Sequence, residues 1–200
     1  MFRMQIILAS SSARRNELLN RTGLHFEIKN PDVEEIPLEG ESPPAFCRRL
    51  SREKAMAIAY RHKHALVIAA DTVVSMGDII LGKPEDNRQA YRYIKMLSGM
   101  THDVFSAYTI VQLAGDIDIT RLVHTRVHFK EMTESEISWY VSTGEPKGKA
   151  GGYAIQGKAS IFIDRIDGSY TNVIGLPLAE LCDDLLRLGV TYLGGSMDKQ

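Results

Sequence analysis

The sequence predicts an α/β fold, bordering on α+β, with a mixed, strongly twisted sheet flanked by helices. Three observations lead there. Apolar runs of strand length at 6–9 and 65–70 alternate with stretches of helical periodicity. Two long β-rich stretches, 104–113 and 117–129, meet at Ala114-Gly115-Asp116 and read as an antiparallel pair. Strands and helices follow one another without a strict βαβ repeat, which calls for a sheet of mixed direction.

The elements follow in order. Ile6-Ile7-Leu8-Ala9 is a short strand, Ser10-Ser11-Ser12 a small polar turn, and 13–22 a helix that carries Leu18 and Leu19 and stops at Gly23. A strand at 25–29 precedes a loop at 30–44 that is rich in proline and acid, with Glu34, Glu35, Glu39 and Glu41. A long helix spans 45–61. The run 65–70 is apolar throughout, as in a strand covered on both faces, and ends on Asp71. Residues 72–76 and 79–81 flank Gly77-Asp78 as a hairpin, and 87–97 is a helix closed by Gly99. Thr133 and Glu136 have capping-box spacing and open a helix to about Val141. A glycine-rich segment at 144–157, a strand at 161–166, a turn at Asp167-Gly168 and a last helix near 178–188 complete the chain.

At 200 residues, with 44% hydrophobic and 24% charged side chains, the chain suits one soluble domain or two small lobes with a substantial core, and a single domain over 1–200 is the expectation. Its net charge of -1 gives no general attraction to nucleic acid or to an anionic membrane, so anion binding must come from local clusters of Lys and Arg. The partner expected is therefore a small anionic ligand, with no nucleic acid and no membrane, and a homodimer stays open. Cys47 and Cys182 lie far apart, both in predicted helices, without metal or redox spacing, and read as reduced. The N-terminal apolar run is too short for a signal peptide, which makes cytoplasmic residence the default expectation.

Five features carry chemistry. Arg14 and Arg15 fall in the first turn of the first helix, where the backbone already presents about half a positive charge. They cost stability there unless an anion joins them, and strand, serine turn and helix start then form a phosphate cradle with Ser10 as a further donor. Two solvated arginines partly neutralised by Glu17 are the plainer alternative. Asp71, at the carboxyl end of a buried strand, stands where ligand crevices open in α/β sheets, or else caps the turn into Thr72. On a wheel of about 100° per residue, Lys54 falls inside the apolar stripe of Phe46, Leu50, Ala57 and Ile58. Its ammonium either snorkels along the core or points into a cleft. Lys83 follows Gly82 and precedes Pro84, and the 144–157 segment interleaves lysines with glycines as a loop that folds around a ligand. A mobile surface loop would leave its Tyr153-Ala154-Ile155-Gln156 unexplained.

Six blocks in order carry a family resemblance: Leu8 to Arg15, Arg52-Glu53-Lys54-Ala55, Ala70 to Val74, Gly82-Lys83-Pro84, Lys149 to Gly157, and Asn172 to Pro177. Over about 5–188, with 189–200 as a C-terminal tail, the chain resembles the Maf family of nucleoside triphosphate pyrophosphatases. The resemblance implies an elongated fold like that of the inosine triphosphatases with a central cleft, a divalent metal cation (Mg2+ or Mn2+), and hydrolysis of a nucleoside triphosphate to its monophosphate and pyrophosphate. Arg14, Thr72 and Gln156 match the subgroup acting on dTTP and UTP. A 7-methyl-GTP-preferring enzyme of the same family and a non-catalytic, nucleotide-binding regulator of septum formation are the alternatives. Ala13 replaces a usual proline, Gly148 a frequent aspartate and Ala154 a common glycine.

The roles expected from this resemblance are specific. Asp71 is general base and metal ligand, with Glu35 the second carboxylate; hard oxygen donors, waters and phosphates suit an octahedral ion. Arg15, Lys54 and Lys83 offset charge on the triphosphate, Ser10 adds a neutral donor, and Arg14, Thr72 and Gln156 read the base.

Overall fold

The computed structural model describes residues 4–191, so most of the expected C-terminal tail lies outside the described residues. Seven strands form one sheet in the order β2-β1-β3-β5-β6-β7, with β4 added to β3. They are β1 (Ile6–Ala9), β2 (Glu27–Lys29), β3 (Leu66–Met76), β4 (Ile79–Leu81), β5 (Thr101–Gln112), β6 (Ile117–Phe129) and β7 (Ile163–Asp167). Pairs β1/β2 and β1/β3 are parallel and the others antiparallel, the mixed sheet that the pattern predicts. The helices are α1 (Ala13–Asn20), α2 (Pro43–Ala59), α3 (Asn87–Leu97), α4 (Glu134–Ser142), α5 (Tyr170–Ile174) and α6 (Leu178–Arg187).

Strand alternation divides the core. Ile7, Ala9, Val67 and Ala69 turn to one face, where Ala55, Ile58 and Ala59 of α2 cover them. Leu8, Ile68, Ala70, Tyr108 and Ile110 turn to the other, against Leu18 and Leu19 of α1 and Leu181 and Leu185 of α6. Burial on both faces explains why 65–70 reads as an unbroken apolar run. No described helix is long and apolar enough to cross a membrane. Both cysteines are free.

Local chemistry sets the helix starts. Ser12 caps α1, accepting from the Arg15 N–H at 3.4 Å, and Asp86 caps α3, accepting from the Gln89 N–H at 2.7 Å. The Thr133–Glu136 capping box forms in full. Pro43 and Pro44 begin α2, two residues earlier than predicted, because proline fits the first helical turn where no N–H is needed.

One strand differs from expectation. Asp71 is not at the end of a strand: β3 runs on through it, so 66–76 is continuous and Asp71 pairs in register with Ala107 of β5. The strand that does end is β1, whose pairing with β3 stops at Ala9 and Ala69. Beyond that point Asp71 has lost its neighbour on the β1 side, and a crevice opens there. The rule about strand ends holds, applied to β1. The helix α5 and the short 3-10 turns at 150–152 and 158–162 have no counterpart in the sequence reading.

Candidate active site

The crevice is a cleft of about 590 Å³. Ser10, Arg14, Arg15, Glu35, Lys54, Asp71, Thr72, Lys83 and Gln156, every residue singled out from the sequence, line it. They come from the turn after β1, α1, the acidic loop, α2, β3, the β4 exit and the glycine-rich segment, and only the fold brings them together.

An ionic bridge, buried at Lys54 and Asp71, lies at its centre. Lys54 reaches from α2 to donate to Asp71 Oδ1 at 2.6 Å and to Glu35 Oε1 at 2.5 Å. The Lys54 and Asp71 side chains are 7% and 8% exposed, so each needs the other, since an unpaired buried charge is strongly unfavourable. Lys54 does not snorkel out of the apolar stripe; it points into the cleft. Lys83, well exposed, donates to Glu35 Oε2 at 2.5 Å. Partial burial works against the Glu35 charge, but the hydrogen bonds from Lys54 and Lys83 prevail and hold its pKa down at about 2. Behind Asp71, burial pushes the Cys47 thiol well above its usual range, which leaves it inert.

The two arginines of α1 differ in fate. Arg15 turns away from its own helix start, donating through Nε to the Gly175 carbonyl at 2.9 Å and through Nη2 to Thr72 Oγ1 at 3.1 Å. The charge penalty expected for it is thereby offset within the protein. A relay continues behind it. The Ser106 hydroxyl donates to the Asn172 carbonyl at 2.8 Å, so the 2.8 Å contact between Thr72 and Ser106 is one in which Thr72 donates. Asn172 is fixed in turn by donating to Val104 O at 3.1 Å and Thr125 Oγ1 at 2.9 Å. Ser106 and Asn172 carried no signal of this function; Asn172 stood in a recognisable block without an assigned role. Arg14 is half-buried and makes no hydrogen bond to a described residue, and burial, then the Arg15 charge, lower its pKa. Lys149 is lowered similarly, by burial and then by Arg14.

The glycine-rich segment is ordered. Tyr153, Ala154 and Ile155 are buried, with Tyr153 Oη 2.7 Å from His102 Nε2. Gly151, at φ +67°, lies so near β3 that an added Cβ would sit 2.8 Å from Val74, which only glycine permits. This packing leaves Gln156 exposed on the cleft, without a hydrogen bond to a described residue. Ser10 accepts from the Ser12 N–H at 3.1 Å, which leaves its own proton to donate. Of the departures from the family pattern, Ala13 opens α1 without distortion, and Gly148 lines the cleft at φ +70°.

Comparison with known proteins gives the family. The family model described as "Maf-like protein" matches residues 5–188. A dTTP/UTP pyrophosphatase of Geobacter sulfurreducens is 46% identical over 185 residues, covering 92% of this chain and 97% of that protein. The protein of the same name from Myxococcus xanthus is 46% identical over 185 residues, covering 92% and 93%. Among solved structures, the Ham1 protein of Staphylococcus aureus aligns over 92% of this chain and 99% of its own, with a TM-score of 0.52 at 11% identity, a likeness of fold alone. With the family model spanning nearly the whole chain and the curated relatives matching over more than nine-tenths of it, the chain belongs to the Maf family.

Proposed function

We propose that the chain is a nucleoside triphosphate pyrophosphatase that hydrolyses dTTP and UTP to the monophosphate and pyrophosphate. Its relatives bear that name. The observation that carries the reading is the Asp71–Lys54–Glu35 bridge, buried at Lys54 and Asp71, in a cleft that also presents Arg14, Arg15 and Lys83.

Asp71 is the base in this mechanism. Its Oδ1 is held by Lys54, and Oδ2 takes the proton of a water that attacks the α-phosphorus. The bond from that phosphorus to the bridging oxygen breaks, and pyrophosphate leaves with the electron pair. Lys54, Lys83 and Arg15 offset the charge that builds on the phosphates, with Ser10 and the start of α1 as neutral donors. Lys83, exposed at the cleft, exchanges Glu35 for a phosphate oxygen at little cost. Arg14, Thr72 and Gln156 read the base: the Gln156 carboxamide accepts from N3–H and donates to O4 of uracil or thymine, a pattern that cytosine does not offer.

The donor set suits Mg2+ or Mn2+. Mg2+ commonly binds through one or two carboxylates, with waters and substrate phosphates completing its octahedron. The described residues hold no cluster of three or more His, Cys, Asp or Glu that would form an all-protein cage. Asp71 and Glu35 would hold the ion, which when bound supplies positive charge to the triphosphate.

The test is turnover of a panel of nucleoside triphosphates, with added inorganic pyrophosphatase and phosphate detection. UTP and dTTP are expected to be hydrolysed faster than CTP and 7-methyl-GTP at matched concentration. Binding without turnover of any of them would overturn the enzymatic reading, and a lead for 7-methyl-GTP would overturn the pyrimidine preference.

A further inference from the structure

Glu35 lies in a segment that burial does not hold. Residues 34–40 are all exposed, with Ile36 at 62% and Leu38 at 60%. A stretch with so little apolar contact belongs to the least stable parts of a fold. Yet both Glu35 oxygens meet ammonium groups at 2.5 Å.

The fastening comes from Arg49 on α2, the helix that also carries Lys54. Its Nε and Nη2 grip the two oxygens of Glu41 at 2.7 Å each, and Nη2 also donates to the carbonyl of Ile36, the residue after Glu35, at 2.9 Å. Nη1 reaches both Glu53 oxygens at 3.1 Å, which orients the fork from the helix side. Glu41 accepts from the Leu38 N–H at 3.0 Å and so closes the segment on itself. The guanidinium lies 5.4 Å from the ring centroid of Phe46, a residue of the cleft wall. One planar group thus ties both ends of 36–41 to the helix that presents Lys54, a task that needs a fork and not a point charge.

We infer that Arg49 is a positioning residue for Glu35: its clasp on Glu41 and Ile36 fixes the acidic segment so that the Glu35 carboxylate stands between Lys54 and Lys83. The inference rests on the pyrophosphatase reading and on the place of Glu35 in it. Without the clasp the carboxylate stays in the protein but loses its place, and misplacement of a catalytic-site group by about 1 Å can cost about a hundredfold.

The test compares Arg49→Ala and Glu41→Gln, each alone and combined with Glu35→Ala, by kcat and KM for UTP at saturating Mg2+ and by Tm. In the wild-type background each is expected to lower kcat by about 10–100-fold while KM stays within about threefold. Combined with Glu35→Ala, neither should lower kcat further, because a group that acts through Glu35 has nothing left to position. An equal loss in both backgrounds, a change in KM alone, or wild-type kcat overturns the inference and leaves Arg49 a structural residue. If Arg49→Ala fails to fold, Glu41→Gln, which leaves α2 untouched, decides by the same criteria. Should Glu35→Ala itself keep full activity, the role of Glu35 fails and the inference with it. A large loss in Glu35→Ala beside a silent Arg49→Ala sinks the positioning alone.

Discussion

The two ends of the cleft are built on opposite rules. Around Asp71 every charged group already has a protein partner: Lys54 joins Asp71 to Glu35, and Lys83 takes the remaining Glu35 oxygen. Around Arg14 and Gln156 polar groups face the cleft with no hydrogen bond to a described residue. Buried charge explains the core of the first arrangement, since Lys54 and Asp71, 7% and 8% exposed, must neutralise each other before any substrate arrives. Discrimination explains the second. A hydrogen bond separates one base from another only if it is made to the ligand and was not already satisfied by the protein. Arg15 and Thr72 stand between the two regimes, linked to each other and to Ser106.

The largest expected effect breaks the contrast at its ionic end. Asp71→Asn keeps the shape of the side chain but removes the proton acceptor, and should lower kcat by about a hundredfold or more while the circular dichroism spectrum stays native. Activity within a few-fold of wild type would mean that the bridge is structural and that the two ends do not divide chemistry from recognition.

Next comes the open end. Gln156→Ala should lower kcat/KM for dTTP and UTP by about 1–3 kcal/mol and leave the weaker turnover of CTP nearly unchanged. An equal loss for all triphosphates would show that Gln156 supports the glycine-rich segment instead of reading the base.

Much of this was legible in the sequence because most of it is local. The strand β1, the serine turn and the capping box each depend on residues near in sequence, and periodicity alone placed Lys54 on the packed face of α2. Asp71 shows the limit. A carboxylate interrupts an apolar run, so the pattern reads as a strand end, whereas the strand continues because Lys54, from another element, makes burial of the charge tolerable. The fates of Arg14 and Arg15 were equally hidden. Neighbours in one helical turn, they differ because Gly175 and Thr72 happen to face only one of them, a fact of tertiary structure. Arg49 gave no signal at all, since Glu41 and Glu53 read as ordinary surface acids until the loop is folded against α2.

A pH titration sharpens the ionic end further. The folded-state pKa of Glu35 is depressed from 4.5 to about 2, so its pairing stabilises the protein fully above pH 4.5 and the contribution is lost as pH falls toward about 2. Glu35→Gln should therefore lower Tm at neutral pH and flatten the Tm profile across that acid window. The carboxylate is over a third exposed, so solvent screening keeps the effect modest. A mutant profile parallel to that of wild type would show that Lys54 and Lys83 do not hold Glu35 in solution.

The smallest effect tests whether the open end is strained without ligand. Arg14 is half-buried beside Arg15, and both burial and that neighbour disfavour its charge. Arg14→Ala should accordingly raise the Tm of the free protein, by about 1–2 °C on the scale of ~0.5 kcal/mol for a chain of this size. The same substitution should shrink the rise in Tm that a triphosphate produces, because that rise reports differential binding to the folded state. The two changes have opposite signs, and a general loss of packing cannot produce both. A lower Tm for the free mutant, with an undiminished nucleotide shift, would place Arg14 among the structural residues and leave Gln156 and Thr72 to select the base.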